Sequence, residues 1–182
     1  MMNQLDELWQ KMKDTYRILC LSAVHDNILM WSHYADCHRG AVLEFGPVKE
    51  SNSPFLFARP VTYSATVPVA ATIEEFLKFV TGEGPRPDTS IAFQKSVYTK
   101  SSAWSYEEEW RILDKVQSSN QKPYFREFYP KELKAIYFGC RMSKESKETI
   151  INLISNWGTK VNLFHMRDQR IRFALSTEPQ EK

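Results

Sequence analysis

The 182 residues carry 24 Lys and Arg against 22 Asp and Glu, a formal charge of +2, with 42% hydrophobic and 25% charged side chains. These are globular values, and they exclude a disordered tail or a fibre. The near balance of charge leaves weak long-range attraction to polyanions, so a nucleic-acid role needs a local basic patch.

The start, MMNQLDELWQKMKD, carries acids and lacks the apolar stretch of a signal peptide, and no apolar run approaches the ~20 residues of a membrane helix. Cys20, Cys37 and Cys140 are widely spaced and not in CxxC form, which suits reduced thiols in a cytoplasmic protein.

Leu5, Leu8, Trp9, Met12 and Tyr16 recur at helical spacing and predict an amphipathic helix over 3–15. Arg17–Ser22 reads as a short, mostly buried strand. Asp26 is placed to cap a helix from about Asn27 to His38, which stops at Gly40 in a left-handed C-terminal conformation. Ala41–Phe45 follows as a strand and Gly46-Pro47 breaks it. The Ser- and Pro-rich stretch from Lys49 to Pro68 reads as irregular apart from a strand at Val61–Ser64. Thr72 and Glu75 form a capping box ahead of Ile73, Phe76, Leu77 and Val80.

Thr81–Pro87 is the clearest surface loop, followed by a helix over Ser90–Tyr98. Glu109–Val116, Tyr124–Phe128 and Ala135–Cys140 are strand-like. Ser143 starts a helix that Gly158 ends. Lys160–His165 and Arg170–Leu175 read as a hairpin around Arg167–Gln169, with Glu178–Lys182 frayed. The sum is a single α+β domain over residues 1–177, a mixed or antiparallel sheet flanked by helices.

Two runs set large aromatics beside titratable groups: Met30–Gly40 and Trp104–Arg111. Aromatics favour burial, while His, Glu and Arg must keep water, a partner or a substrate, so the runs read as two walls of one polar pocket. At helical spacing Met30, His33, Tyr34 and Cys37 share one stripe, and Trp31, Ala35 and His38 the next. Trp31, Ala35 and Met30 read as core; His33 and Tyr34 carry polar atoms that need partners. Arg39 near a helix end is a candidate for phosphate. If Glu109 opens a strand, Glu107, Glu109 and Arg111 share a side. Two facing carboxylates would resist double ionisation unless a cation lies close, and Lys95, Lys100 and Arg111 are available. No paired CxxC or HxxxH supports a metal, and none is expected. No glycine-rich phosphate cradle and no GxSxG elbow occurs.

These residues resemble a bacterial and phage-associated family, domain of unknown function 2971. The matching blocks are Met30–Gly40, then Lys100, Trp104 and Tyr106–Arg111, then Ile136-Tyr137-Phe138-Gly139, spanning roughly residues 17 to 165. Family members usually begin with a further segment of several dozen residues, which this chain lacks. The order of strand, Tyr-bearing helix, strand and late Glu-x-Glu strand also resembles the ADP-ribosyltransferase superfamily. That resemblance implies a split sheet with NAD as substrate in its cleft. It implies Ser22 and Tyr34 against the nicotinamide and Glu109 or Glu107 on the nicotinamide ribose.

The expected site is therefore Glu109, Glu107 and Tyr34 as catalytic groups, with Ser22, His33, Arg39, Lys100 and Arg111 binding a small-molecule nucleotide. A protein or nucleic-acid acceptor, in phage defence or a toxin system, completes that expectation. Two alternatives stand beside it: a non-catalytic nucleotide- or protein-binding module, and a metal-dependent nuclease using His33, His38 and the Glu cluster.

Overall fold

The computed structural model describes residues 7, 10, 11, 13–49, 52–69, 71–116, 127–169 and 174–179. The fold is α+β. Residues 7, 10, 11 and 13–15 are helical, inside the helix expected over 3–15.

β1 (Tyr16–Ser22) follows. Its middle residues are exposed, Ile18 at 45% and Leu19 at 49%, because β1 is the outer strand of its sheet; the expected burial is corrected. α1 (Ile28–Tyr34) is shorter than the expected Asn27–His38 and is capped by Asn27, not Asp26. The Asn27 Oδ1 accepts from Leu29 N at 3.0 Å and Met30 N at 3.3 Å, and so satisfies orphan amides of the first turn. α1 stops because Asp36, Cys37 and His38 all take positive φ, which no right-handed helix accommodates. The turn closes through Gly40 N to Ala35 O at 2.8 Å and His38 N to Trp31 O at 3.1 Å. Gly40 itself is not left-handed.

β2 (Ala41–Phe45) is the expected strand. The stretch read as irregular holds a 3-10 turn at Pro54–Phe57, then β3 (Arg59–Pro60) and β4 (Thr62–Ser64). α2 (Ile73–Thr81) starts at the Thr72–Glu75 capping box and ends at left-handed Gly82. α3 (Thr89–Val97) is capped by Asp88. After β5 (Thr99–Ser101) and a 3-10 turn at Ser102–Glu107, β6 (Glu109–Lys115) forms. Of the strand expected at Tyr124–Phe128, Glu127 and Phe128 are not in a strand and the rest lies outside the described residues.

β7 (Leu133–Phe138) begins two residues earlier than expected, and α4 (Lys144–Ser155) is capped by Ser143. β8 (Asn162–Asp168) runs through Arg167-Asp168, where a turn was expected, and β9 (Leu175–Pro179) keeps Glu178 and Pro179 in strand pairing. Arg167 pairs with Glu178 across that ladder at 2.6 Å, which favours the longer strands.

Among the described residues the strands form three sheets, ordered β1-β6-β3, β2-β7-β8-β9 and β4-β5. β7 and β8 are parallel, joined through α4, while β2 and β9 pair antiparallel at either end, so this sheet is mixed. β7 is almost wholly buried and serves two cores by strand alternation. Ala135 and Tyr137 meet Trp31 and Ala35 of the α1 region, and Ile136 and Phe138 meet Ile150, Ile151 and Ile154 of α4. Trp31 is 1% exposed and donates its indole hydrogen to His25 O at 2.6 Å, so its one polar atom is satisfied inside the core. This anchor fixes α1, and with it the position of Tyr34.

Candidate functional site

The two aromatic-and-charged runs meet. Tyr34, at the C-terminal end of α1, donates its hydroxyl hydrogen to Glu107 Oε1 at 2.8 Å. Asn27, at the other end of α1, donates from Nδ2 to Tyr106 O at 3.2 Å. Ser22, where β1 ends, donates from Oγ to Glu107 O at 2.7 Å. Tyr34 of the early run, with Asn27 and Ser22 just before it, thus fastens the turn that bears Glu107.

Lys100 of β5 bonds both glutamates: it pairs with Glu107 Oε2 and sits 2.8 Å from Glu109 Oε2. Arg111 donates from Nε to Glu109 Oε1 at 2.7 Å and from Nη2 to Glu109 Oε2 at 3.2 Å, a forked contact that fixes the carboxylate plane. Arg111 Nη1 also reaches Val97 O, tying the network to α3. The Glu109 amide donates to Tyr63 Oη at 2.8 Å.

Backbone shape explains the convergence. Period-two alternation was expected to carry Glu107 and Glu109 to one side. Instead Glu107 belongs to the 3-10 turn and Glu108 is left-handed, with φ 44°. The chain turns there, and both carboxylates still reach Lys100. A non-glycine residue held in that region costs on the order of 1–3 kcal/mol, offset only where its surroundings fix it.

Glu107 is 3% exposed and Glu109 4%. Burial alone would raise the Glu109 pKa, but hydrogen bonds from Arg111 and Lys100 overcome it and pull the carboxyl down to about 2. The Lys100 ammonium is held well above its ordinary range, the two glutamates outweighing its desolvation. Tyr34 is raised because its hydroxyl is committed to Glu107. Cys20, opposite Arg111 in the β1–β6 ladder, is pushed up to about 11 by burial and by Glu109.

Aromatic rings edge this charged cluster. Lys100 Nζ lies 5.2 Å from the Trp104 ring centre, within cation–π range. His33 stands edge-on to both Tyr34 and Trp104, at 6.2 and 6.4 Å between ring centres. Tyr34 is 63% exposed and Trp104 38%, so the aromatic edge faces outward while the carboxylates lie inside.

Of the expected residues, Tyr34, Glu107, Glu109, Lys100, Arg111 and Ser22 come together and His33 sits at their rim. Arg39 is turned to Asp36, 2.9 Å away on the exposed turn. Lys95 lines a different hollow, with Glu75 and Lys78. His38 stacks on Trp31 and contacts Ser32 at 2.9 Å. The sequence reading missed Asn27 and Tyr63 as supports, and Cys20 as the neighbour of Glu109, while Trp104 stands in the run it singled out. Only strand pairing reveals Tyr63 and Cys20.

Three hollows flank the network. One, about 350 Å³, is lined by Lys100 with Ser64, Ser96, Thr99 and Ser101; another, about 550 Å³, is lined by Arg111 with Tyr16 and Val97; the third, about 730 Å³, reaches Ser22. None is lined by Tyr34, Glu107 or Glu109. The carboxylates are closed over by their own cations. Among the described residues no group of three or more His, Cys, Asp or Glu is placed to hold a metal ion.

Residues 30–112 match the model of a family described as protein of unknown function (DUF2971). Over these residues, under half of the chain, the protein is similar to that family. The matched segment opens inside α1 and closes inside β6, so it contains both aromatic-and-charged runs and every member of the ionic network. The Ile136–Gly139 block lies beyond it. No curated protein and no solved structure matches the chain. Among the described residues no helix is long and apolar enough to cross a membrane.

Proposed function

We propose that the Tyr34–Glu107–Glu109 cluster is an ADP-ribosyltransferase-like site that takes NAD or a related nucleotide. The observation that carries this reading is the Tyr34 to Glu107 hydrogen bond, which sets a phenol and a fixed carboxylate beside exposed aromatic edges. Cleavage of the nicotinamide–ribose bond sends its electron pair to nicotinamide and builds positive charge at the ribose anomeric carbon. A preorganised carboxylate stabilises that charge without a metal. An acceptor nucleophile then bonds the same carbon and loses its proton; with water as acceptor, the reaction is NAD hydrolysis. In this scheme Glu107 meets the ribose, Trp104 and His33 offer surfaces for the base, and Glu109, clamped by Arg111, positions Lys100 and through it Glu107.

Purified protein incubated with NAD is expected to release nicotinamide, and Glu107→Gln is expected to abolish release while still folding. Equal release by both proteins, or none by the wild type, overturns the transferase reading.

A second reading has its own support. Both glutamates are already neutralised and almost sealed. That state suits a non-catalytic nucleotide- or protein-binding module, in which the ionic cluster is an internal brace. NAD or ADP-ribose binding without turnover favours that module. The nuclease alternative has less to stand on, since His38 faces Ser32 and Trp31 and is not directed at the glutamates.

A further inference from the structure

α2 has one apolar face, and the domain leaves that face bare. Ile73, Phe76, Leu77, Phe79 and Val80 share an arc of the helix, at spacings of three and four residues. They are 40% to 81% exposed, and no residue of α2 is buried. The polar side is the one turned inward: Thr72, Glu75 and Lys78 line a hollow with Ile91 and Lys95 of α3. A surface helix normally does the reverse, with its apolar stripe on the core and its charges in water. The capping box at Thr72 and left-handed Gly82 define both ends, so the arc is presented by a formed helix.

Five such side chains, at roughly 100 Å² apiece, present on the order of 500 Å², near the top of what a soluble monomer shows in one patch. No charged residue of α2 falls on the arc. Two of these faces closed on each other remove about 1,000 Å² from water, the lower bound for a specific association.

The symmetry of the arc selects the occupant. Ile73 and Val80 stand equally far from its midpoint, and Phe76 and Leu77 flank that midpoint. A two-fold axis through it, with the helices antiparallel, sets Ile73 against Val80 of a second copy and Phe76 against Leu77, both ways round. One edge of the arc carries Glu74 in the first turn and Lys78 a turn later, 2.7 Å apart. The same axis reverses that edge, so each Glu74 comes beside Lys78 of the other copy, and the opposed helix dipoles attract. A lipid surface fits worse. The charged side of α2 carries two glutamates and one lysine, whereas interfacial helices are rich in Lys and Arg.

We infer that α2 is the contact of a symmetric dimer, in which the apolar faces of two copies pack antiparallel across a two-fold axis. An interface of this size gives a dimer that dissociates on dilution. This inference does not depend on nucleotide chemistry at the Tyr34–Glu107 cluster.

Sedimentation equilibrium of the whole chain, from micromolar to near-millimolar concentration, reads the assembly. A monomer–dimer equilibrium is expected, abolished by Phe76→Ser combined with Leu77→Ser. Both side chains are exposed, so the double variant keeps the melting temperature of dilute wild type. Glu74→Lys sets like charges together and is expected to weaken the dimer roughly threefold or more, while adding Lys78→Glu restores it. A monomer at every concentration, a dimer indifferent to Phe76 and Leu77, or a charge swap that stays weak overturns the proposal. So does binding of monomeric protein to phosphatidylcholine–phosphatidylserine vesicles through Phe76 and Leu77, which assigns the face to a lipid surface.

Discussion

Tyr34 and Glu107 lie 73 positions apart, yet the phenol of one is hydrogen-bonded to the carboxylate of the other at 2.8 Å, joining the end of α1 to the turn before β6. Coupling between them is measurable. A hydrogen bond to a charged group contributes roughly 1.5–3 kcal/mol, and the exposed Tyr34 ring places this one at the low end. In a double-mutant cycle of Tyr34→Phe and Glu107→Gln, read by urea denaturation, the expected interaction energy is about 1.5 kcal/mol. Strict additivity would mean that the two residues are neighbours without coupling.

Acid should loosen the cluster at Glu109. Its folded pKa, about 2, lies below the ordinary carboxylate value of 4.5. The unfolded chain therefore binds the extra proton first, and stability rises with pH between these values. The contribution is fully present above about pH 4.5 and is lost as pH falls toward 2. Comparing wild type with Glu109→Gln by denaturation from pH 2 to 7, the gap in stability is expected to close over that window. A gap that stays constant would show that Glu109 is not ionised against Lys100 and Arg111.

The turn behind Tyr34 depends on Gly139. A Cβ there would stand 2.1 Å from His38 O and 2.8 Å from Gly40 O, both backbone atoms that cannot rotate aside. Gly139→Ala is expected to cost about 3 kcal/mol, the upper part of the usual overpacking range, and to lower the melting temperature by several degrees. A variant as stable as wild type would mean that the Ala35–Gly40 turn yields easily.

Much of this was legible before any coordinates. The capping box at Thr72, the cap at Ser143 and the strands around Val42 and Ile112 follow from local chemistry that tertiary contacts do not override. The pairing of two glutamates with Lys100 and Arg111 followed from charge, since two adjacent carboxylates require cations. What failed was non-local or backbone-specific. Three successive left-handed residues at 36–38 carry no glycine signature, so the helix read through them and Cys37 was assigned to a stripe it does not join. The apolar run Arg17–Ser22 looked interior because sequence does not show that β1 ends its sheet. Arg39 was offered to phosphate because its exposed pair with Asp36 exists only in the turn that replaced the last helical residues.

Titration calorimetry with NAD, on wild type and on Tyr34→Phe, tests the nucleotide site most directly. Saturable one-to-one binding to wild type, weakened about tenfold by loss of the single hydroxyl, agrees with a ligand seated between Tyr34 and Glu107. No heat of binding at millimolar NAD, or affinity indifferent to Tyr34, would leave the ionic cluster as an internal brace.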